Sequence, residues 1–143
     1  MIIPIASDHA GFETKEIIKK ILEERGLMAV DYGTHSEESV DYPDFAKLVS
    51  GAVSENEYER GILVCGSGQG MSMTANKYPG VRAALAWEKE IASLSRKHND
   101  SNVLCIPGRF LSADEARVIV ETWLDTEFEG GRHGRRVNKI KCE

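Results

Sequence analysis

The chain has 143 residues, of which 41% are hydrophobic and 29% charged, with a net charge of −5 at pH 7. This length fits one domain that buries roughly two-thirds of its unfolded surface, and the ordinary apolar content excludes a disordered chain. No apolar run approaches the ~18 residues of a membrane span, the N-terminus lacks a signal-peptide pattern, and the acidic balance argues against a general nucleic-acid binder.

The chain alternates predicted strands with predicted helices from one end to the other. Apolar, β-branched runs predict five buried strands, at residues 1–6, 28–32, 61–64, 81–86 and 103–106. Helical periodicity, a proline at a helix start and a capping box predict the helices, at residues 12–25, 43–53, 71–77, 88–97 and 112–124. This alternation predicts a doubly wound α/β domain, an open parallel sheet with helices on both faces.

Ligands of such sheets bind outside the carboxyl ends of the strands. Polar, titratable and glycine residues of this chain concentrate at those positions, in segments 7–11, 31–33, 65–70, 87–88 and 108–109. This edge of the sheet is therefore the predicted site.

The loop Cys65-Gly66-Ser67-Gly68-Gln69-Gly70 is the strongest local motif. Alternating glycines let the backbone approach a ligand and turn N–H groups towards negative charge. The loop is not a dinucleotide fingerprint, because Met71 stands where the last glycine would be, and no Gly-Lys-Ser/Thr follows as in a Walker loop. A ligand other than a nucleotide is indicated.

Three cysteines without CxxC spacing predict neither a disulfide framework nor a zinc site, and favour a reducing cytoplasmic setting. Cys65 lies between a strand end and a helix start, where backbone donors stabilise a thiolate, so it is a candidate proton acceptor. Cys105 lies within a strand and is predicted to be buried and apolar. The four histidines are scattered, none at i, i+4, so no metal site is predicted.

Two histidine motifs leave alternatives open. Asp8-His9 ends the first strand, where the pair either caps a helix or binds a ligand. His98-Asn99-Asp100 follows a helix, where His98 either interacts with the C-terminal dipole or takes part in catalysis.

Basic residues concentrate in the C-terminal segment 130–143 of the predicted domain. Residues 132–143 carry a net charge of +4 and the remaining chain carries −9. The segment is either a solvated end, as charge runs usually are, or an anion site, and because Arg132, His133, Arg135 and Arg136 follow Gly130-Gly131, the cluster suits a small anion better than a DNA duplex.

Several motifs, taken in chain order, resemble the type B ribose-5-phosphate isomerases. They are Ser7-Asp8-His9-Ala10-Gly11-Phe12, Asp41-Tyr42-Pro43, the segment Gly61 to Gly68, Ala75-Asn76-Lys77, Ser95 to Asp100 and Gly130-Gly131-Arg132-His133. The resemblance covers essentially the whole chain. It implies a Rossmann-like five-stranded single domain without a cofactor, which interconverts the sugar phosphates ribose 5-phosphate and ribulose 5-phosphate.

The resemblance also implies roles for individual residues. The general base matches Cys65, the ring-opening histidine matches His98, and the hydroxyl residue beside the base matches Ser67. The substrate-binding positions match Asp8, His9, Gly66, Ser67, Gly68, Gln69, Gly70, Asn99, Arg109, Arg132 and Arg136. Some members use a glutamate base at the position of Met71, which leaves Cys65 as the base here. Sites of the family are shared between subunits of a homodimer or tetramer, with the region from His98 to Arg109 expected from the partner.

Two other functions stay open on the sequence alone. One is isomerisation of a six-carbon aldose phosphate, galactose or allose 6-phosphate, because sequence does not give the depth of the pocket. The other is a non-catalytic protein that binds sugar phosphates, against which Cys65 and His98 both argue, since binding alone needs neither.

Overall fold

The computed structural model describes residues 1–142. Its strands are β1 (Ile2–Ser7), β2 (Met28–Asp31), β3 (Gly61–Cys65), β4 (Ala83–Leu85) and β5 (Val103–Pro107). All pair in parallel, in the order β2-β1-β3-β5-β4. Its helices are α1 (Phe12–Glu24), α2 (Tyr42–Ser54), α3 (Gln69–Ala75), α4 (Lys89–Lys97), α5 (Ala113–Asp125) and α6 (Arg132–Val137). The predicted doubly wound, Rossmann-like α/β fold is confirmed.

Each face of the sheet has its own hydrophobic core. Ile62 of β3 packs with residues of α1, α4 and α5 on one face, including the fully buried Trp123. Its neighbour Leu63 packs with α2 and α3 on the other face, against Val49 and Met71. Because successive side chains of a strand point to opposite faces, both must be apolar, which explains the continuous apolar runs in the sequence.

Local signals in the sequence place the helix starts. Pro43 lies in the first turn of α2, where its missing N–H costs nothing. Ser112 Oγ accepts the N–H of Glu115 at 3.1 Å while Glu115 Oε1 accepts the N–H of Ser112 at 2.9 Å, which is the predicted capping box. Within residues 1–142 the structure contains no helix of the length and apolarity needed to cross a bilayer.

Two elements differ from the prediction. β4 is shorter than residues 81–86, because Arg82 is held by the loop before β5: its N–H donates to Asn102 Oδ1 at 2.7 Å and its Nε donates to the Asp100 carbonyl at 2.8 Å. The basic C-terminal segment contains the helix α6, which its glycines and charges concealed. Gly130 and Gly131, with φ of 69° and 57°, turn the chain into that helix.

Candidate active site

A cleft of about 500 Å³ opens at the carboxyl edge of the sheet. It is lined by Asp8, His9, Ala10, Tyr42, Cys65, Gly66, Ser67, Gln69, Gly70, Met73, Arg109 and Phe110. The predicted carboxyl-edge residues therefore meet around one cavity, which also lies where β1 and β3 diverge into different connections.

Cys65 ends β3 and is 5% exposed, with its side chain on the face covered by α2 and α3. Gly68 follows in the left-handed region, with φ of 75°, and a Cβ there would lie 2.4 Å from Leu85 Cδ1. Ser67 Oγ accepts the N–H of Gln69 at 3.3 Å, which leaves its own O–H free to donate. The glycine thus lets the loop fold tightly beside the thiol.

The short 3₁₀ turn His9–Gly11 carries the opposite wall of the cleft. Asp8 Oδ1 accepts the N–H of Gly11 at 3.0 Å, and the Asp8 N–H donates to the Val64 carbonyl at 3.2 Å, which ties the turn to β3. Asp8 therefore caps the turn, which is one of the two alternatives, and ligand binding stays a prediction for a residue that lines the cleft. His9 Nδ1 accepts the N–H of Val40 at 3.1 Å.

The family resemblance predicted that Arg109 serves the site of a partner subunit, and the structure corrects this expectation. It follows β5, and its N–H donates to the Gly66 carbonyl at 3.1 Å. Its Cδ would lie 3.2 Å from a Cβ on Gly66. Arg109 therefore lines the cleft of its own chain, because β5 pairs with β3 and brings its following turn against the glycine-rich loop.

His98 lies in a second cluster, at the opposite edge of the sheet. It ends α4, which runs back from the carboxyl edge to the amino edge, and its ring stacks on that of His133 with centroids 4.3 Å apart. Glu129 Oε1 lies 3.7 Å from His98 Nε2 and 3.5 Å from His133 Nε2. Desolvation, together with the charges of His98 and Arg132, lowers the pKa of His133 below its ordinary value.

The remaining predicted residues belong to this amino-edge cluster. Asn99 adjoins His98, and Arg132 and Arg136 flank His133 on α6. The five residues of β5 separate the two edges, a length of roughly 13 Å. One chain therefore holds the predicted site residues as two groups: Asp8, His9, Cys65 to Gly70 and Arg109 at the cleft, and His98, Asn99, Arg132 and Arg136 at the amino edge.

The second cluster also contains three potential metal ligands, which the spacing of the histidines in the sequence did not reveal. The donor atoms of His98, Glu129 and His133 all lie within 4.8 Å of one another. The two imidazole planes are only 11° from parallel, and the lone pair of Nε2 lies in its ring plane. A metal ion placed in the plane of one ring would lie outside the plane of the other and would miss the lone pair of its Nε2. The arrangement therefore suits two histidines that share the Glu129 carboxylate better than it suits a metal ion.

Sequence reasoning assigned no role to several residues that line these places. Tyr42 and Met73 line the cleft, and a Cβ on Gly70 would lie 2.3 Å from the Tyr42 ring. Tyr42 belongs to the motif Asp41-Tyr42-Pro43, one of those that carry the family resemblance, and this motif was the signal in the sequence that could have identified it. For Glu129, the signal was its i, i+4 spacing from His133.

Comparisons with known proteins agree along nearly the whole chain. The model of the family described as Ribose/Galactose Isomerase matches residues 3–140. The Escherichia coli ribose-5-phosphate isomerase B is 46% identical over 138 residues, 96% of this chain and 93% of the relative.

Solved structures show the same fold. The Clostridium thermocellum ribose-5-phosphate isomerase B superposes with a TM-score of 0.96 at 50% identity, over 98% of this chain and 95% of that one. The Mycoplasma genitalium ribose-5-phosphate isomerase B with bound ribulose-5-phosphate gives a TM-score of 0.93 at 45% identity, over 97% and 93%. The chain belongs to the ribose/galactose isomerase family.

Proposed function

We propose that this protein is an aldose–ketose isomerase that interconverts D-ribose 5-phosphate and D-ribulose 5-phosphate through a cis-enediolate. The observation that carries the proposal is the cleft in which Cys65 adjoins a glycine-rich loop, Asp8, His9 and Arg109. Relatives that match over more than nine-tenths of the chain are named for this reaction.

The reaction needs a group that removes a proton from one carbon and returns it to the next. Cys65 is the candidate, because it ends β3 at the cleft wall and Met71 replaces the alternative glutamate. Cys105 is not suited to be the base. Its burial raises the pKa of its thiol, and the nearby Cys65 raises it further by a smaller amount. General acid–base transfer of this kind typically contributes ~10²–10⁴-fold to the rate.

Negative charge develops on the substrate carbonyl oxygen as the proton leaves. Backbone N–H groups of Gly66 to Gly70 are the proposed donors to this oxygen, and each donor of this type is worth ~100-fold or more. We assign to Ser67, whose O–H is free to donate, the transfer of the hydroxyl proton between the two substrate oxygens.

Opening of the furanose ring is assigned to His98 of a partner subunit in a homodimer. His98 and Cys65 lie at opposite edges of the sheet, which the five residues of β5 separate by a length of roughly 13 Å, so we assign the two residues of one site to different chains. Trp87 and Phe110, 52% and 72% exposed, line an apolar hollow beside the cleft, which is the kind of surface a subunit covers.

The same assembly supplies cations for the phosphate. Arg132 and Arg136, with Asn99, accompany His98 from the amino edge, and Arg109 is already at the cleft. Guanidinium groups bind phosphate through charge-assisted, often paired, hydrogen bonds. No step in this scheme requires a metal ion or an organic cofactor, and the unpaired cysteines Cys65, Cys105 and Cys142 fit a reducing cytoplasm.

The direct test is ketose formation by the purified protein from ribose 5-phosphate, beside galactose 6-phosphate and allose 6-phosphate. Cys65→Ala should abolish turnover and leave the melting temperature near that of wild type. Cys142→Ala, which removes an exposed thiol, should be fully active. Turnover of a six-carbon phosphate alone would reassign the substrate, and no turnover of any would leave a binding protein.

The shared site is tested by mixing two inactive variants. A heterodimer of Cys65→Ala and His98→Asn chains contains one site with both defects and one intact site. Random reassociation should therefore recover roughly a quarter of wild-type activity. No recovery, with mixed dimers demonstrated by mass spectrometry, would place both residues in one chain's site, whereas an active His98→Asn homodimer would remove His98 from catalysis.

A further inference from the structure

The segment between β2 and α2, residues 32–41, is anchored at its start by a buried cation. Lys15 is fully buried, and its Nζ lies 2.7 Å from both Asp31 carboxylate oxygens and 2.7 Å from the Thr34 carbonyl. Asp31 Oδ1 also accepts the Gly33 N–H at 2.8 Å. A buried ammonium is stable only with such partners, so Lys15 fixes the path of the chain here.

This anchor is joined to the end of β1, directly before the residues at the cleft. The Ser7 N–H donates to the Gly33 carbonyl at 2.7 Å, and the Thr34 N–H donates to the Ser7 carbonyl at 2.8 Å. These two hydrogen bonds therefore fix the start of the segment relative to the start of the Asp8–His9 turn.

The far end of the segment contacts His9 itself. The Val40 N–H donates to His9 Nδ1 at 3.1 Å. A backbone N–H is only a donor, so Nδ1 must be unprotonated while this bond exists. The proton of the neutral ring is then on Nε2, the one remaining ring nitrogen for a ligand in the cleft.

We propose that residues 32–41 form a clamp that holds His9 as a neutral Nε2–H donor to an oxygen of the substrate, with Lys15 and Val40 as positioning residues. The proposal rests on the proposed function, in which His9 contacts the sugar phosphate. His9 then contributes a directed hydrogen bond rather than charge, and the positive charge at the cleft comes from arginine.

The surroundings of His9 are consistent with this division of roles. The ionisable side chains that line its cleft are Asp8, Tyr42, Cys65 and Arg109. Arg109 is the permanent cation among them, and two more arginines are proposed to arrive from the partner. A neutral donor with a fixed direction selects where an oxygen lies, which an extra positive charge would not do.

The tautomer is measured directly by ¹⁵N NMR of the imidazole nitrogens in the free protein near neutral pH, with the His9→Asn spectrum used for assignment. The expected signal is that of a neutral ring protonated on Nε2. An Nδ1–H tautomer or an imidazolium would overturn the proposal, whatever the activity of the enzyme.

Kinetics of two His9 variants test the use of the donor. A glutamine amide places an N–H near the Nε2 position and an asparagine amide places one near Nδ1. His9→Gln should therefore keep more of the wild-type kcat/KM than His9→Asn, by about 10- to 100-fold, the value of a hydrogen bond to a charged or strongly polar group. Equal losses in both variants would contradict a directed Nε2–H donor.

The clamp itself is tested with proline, which removes a single backbone N–H. Val40→Pro should weaken the Nε2–H signal of His9 and lower kcat/KM. Glu38→Pro is the matched control in the same segment, because its N–H bonds only to Ser36 Oγ, and it should change neither readout. An unchanged His9 tautomer in folded Val40→Pro would refute the clamp, whereas inactivity of the wild type with the expected tautomer would refute only the proposed function.

Discussion

Gly11 offers the sharpest test of how the turn that carries Asp8 and His9 is seated on β3. A Cβ at residue 11 would lie 2.4 Å from the Val64 carbonyl oxygen and 2.6 Å from its carbon. Both are backbone atoms of the strand that ends in Cys65, so no rotamer change relieves the contact. The turn must move by at least 0.6 Å, from 2.4 Å to the 3.0 Å below which real Cβ contacts are essentially absent.

This movement acts on the rate because it carries Asp8 and His9 away from Cys65 across the cleft. Misplacement on the order of 1 Å at a reacting centre costs ~100-fold. We therefore expect Gly11→Ala to lower kcat/KM by about 10- to 100-fold. Overpacking of this kind also reduces the free energy of unfolding by about 1–3 kcal/mol.

The assay is ketose formation from ribose 5-phosphate, with circular dichroism and urea unfolding of the same samples. Gly51→Ala is the matched control, because its nearest neighbour, Tyr78 Cε1, lies at an ordinary 3.6 Å. Replacing this helical glycine should raise stability by about 0.5–1 kcal/mol and leave kcat/KM unchanged. A natively folded Gly11→Ala protein with kcat/KM within about two-fold of wild type would refute the reasoning.

Four further outcomes follow from the buried ion pair, the thiols and the proposed chemistry. Lys15→Met should lower the free energy of unfolding by about 3–5 kcal/mol, because the Asp31 carboxylate and the Thr34 carbonyl lose a buried partner. The double variant with Asp31→Asn should lose less than the sum of the two single losses, and strict additivity would contradict this. Burial opposes ionisation of Asp31, but hydrogen bonds from the lysines and a backbone N–H outweigh it and hold the pKa of Asp31 below its ordinary 3.8. The stabilisation by Asp31 is thus present above pH 3.8 and is lost as pH falls through the lowered value, so the stability difference from Asp31→Asn should shrink only as pH falls below 3.8 in urea unfolding. In native protein, iodoacetamide should alkylate the exposed Cys142 first and leave Cys105 unmodified, because burial raises the pKa of that thiol; mass spectrometry of digested samples checks both. Millimolar EDTA should leave the rate unchanged, and a loss restored by added metal would bring a metal into the mechanism.

The sequence predicted the strands and helices well because each has a local cause. Buried strands need continuous apolar runs, and the capping box at Ser112 fixes a helix start by itself. The short β4 could not be predicted, because bonds from Arg82 to residues about twenty positions later set its boundary. The helix α6 is concealed by Gly134 within it and by Gly130-Gly131 before it, because glycine lowers helix propensity without preventing a helix.

The candidate site was predicted as a set of residues but not as a spatial arrangement. Cys65 ends a strand and His98 ends a helix, and in an alternating α/β chain such positions lie at opposite edges of the sheet. That separation could have been inferred from the predicted order of elements. The stacking of His98 on His133 beside Glu129 could not, because it depends on how a glycine turn folds back.

The strand order also has a consequence for how the chain folds. β3 pairs with β1 and β5, neither of which is its neighbour in sequence, so both central ladders close long loops. Folding governed by such distant pairs is slow, and during synthesis one edge of β3 stays open until Val103–Pro107 has left the ribosome. Arg109 follows β5 by only two residues, so the last central strand and the last wall of the cleft arrive together. A chain that stops before this point exposes an apolar strand edge, which favours aggregation over a partly working enzyme.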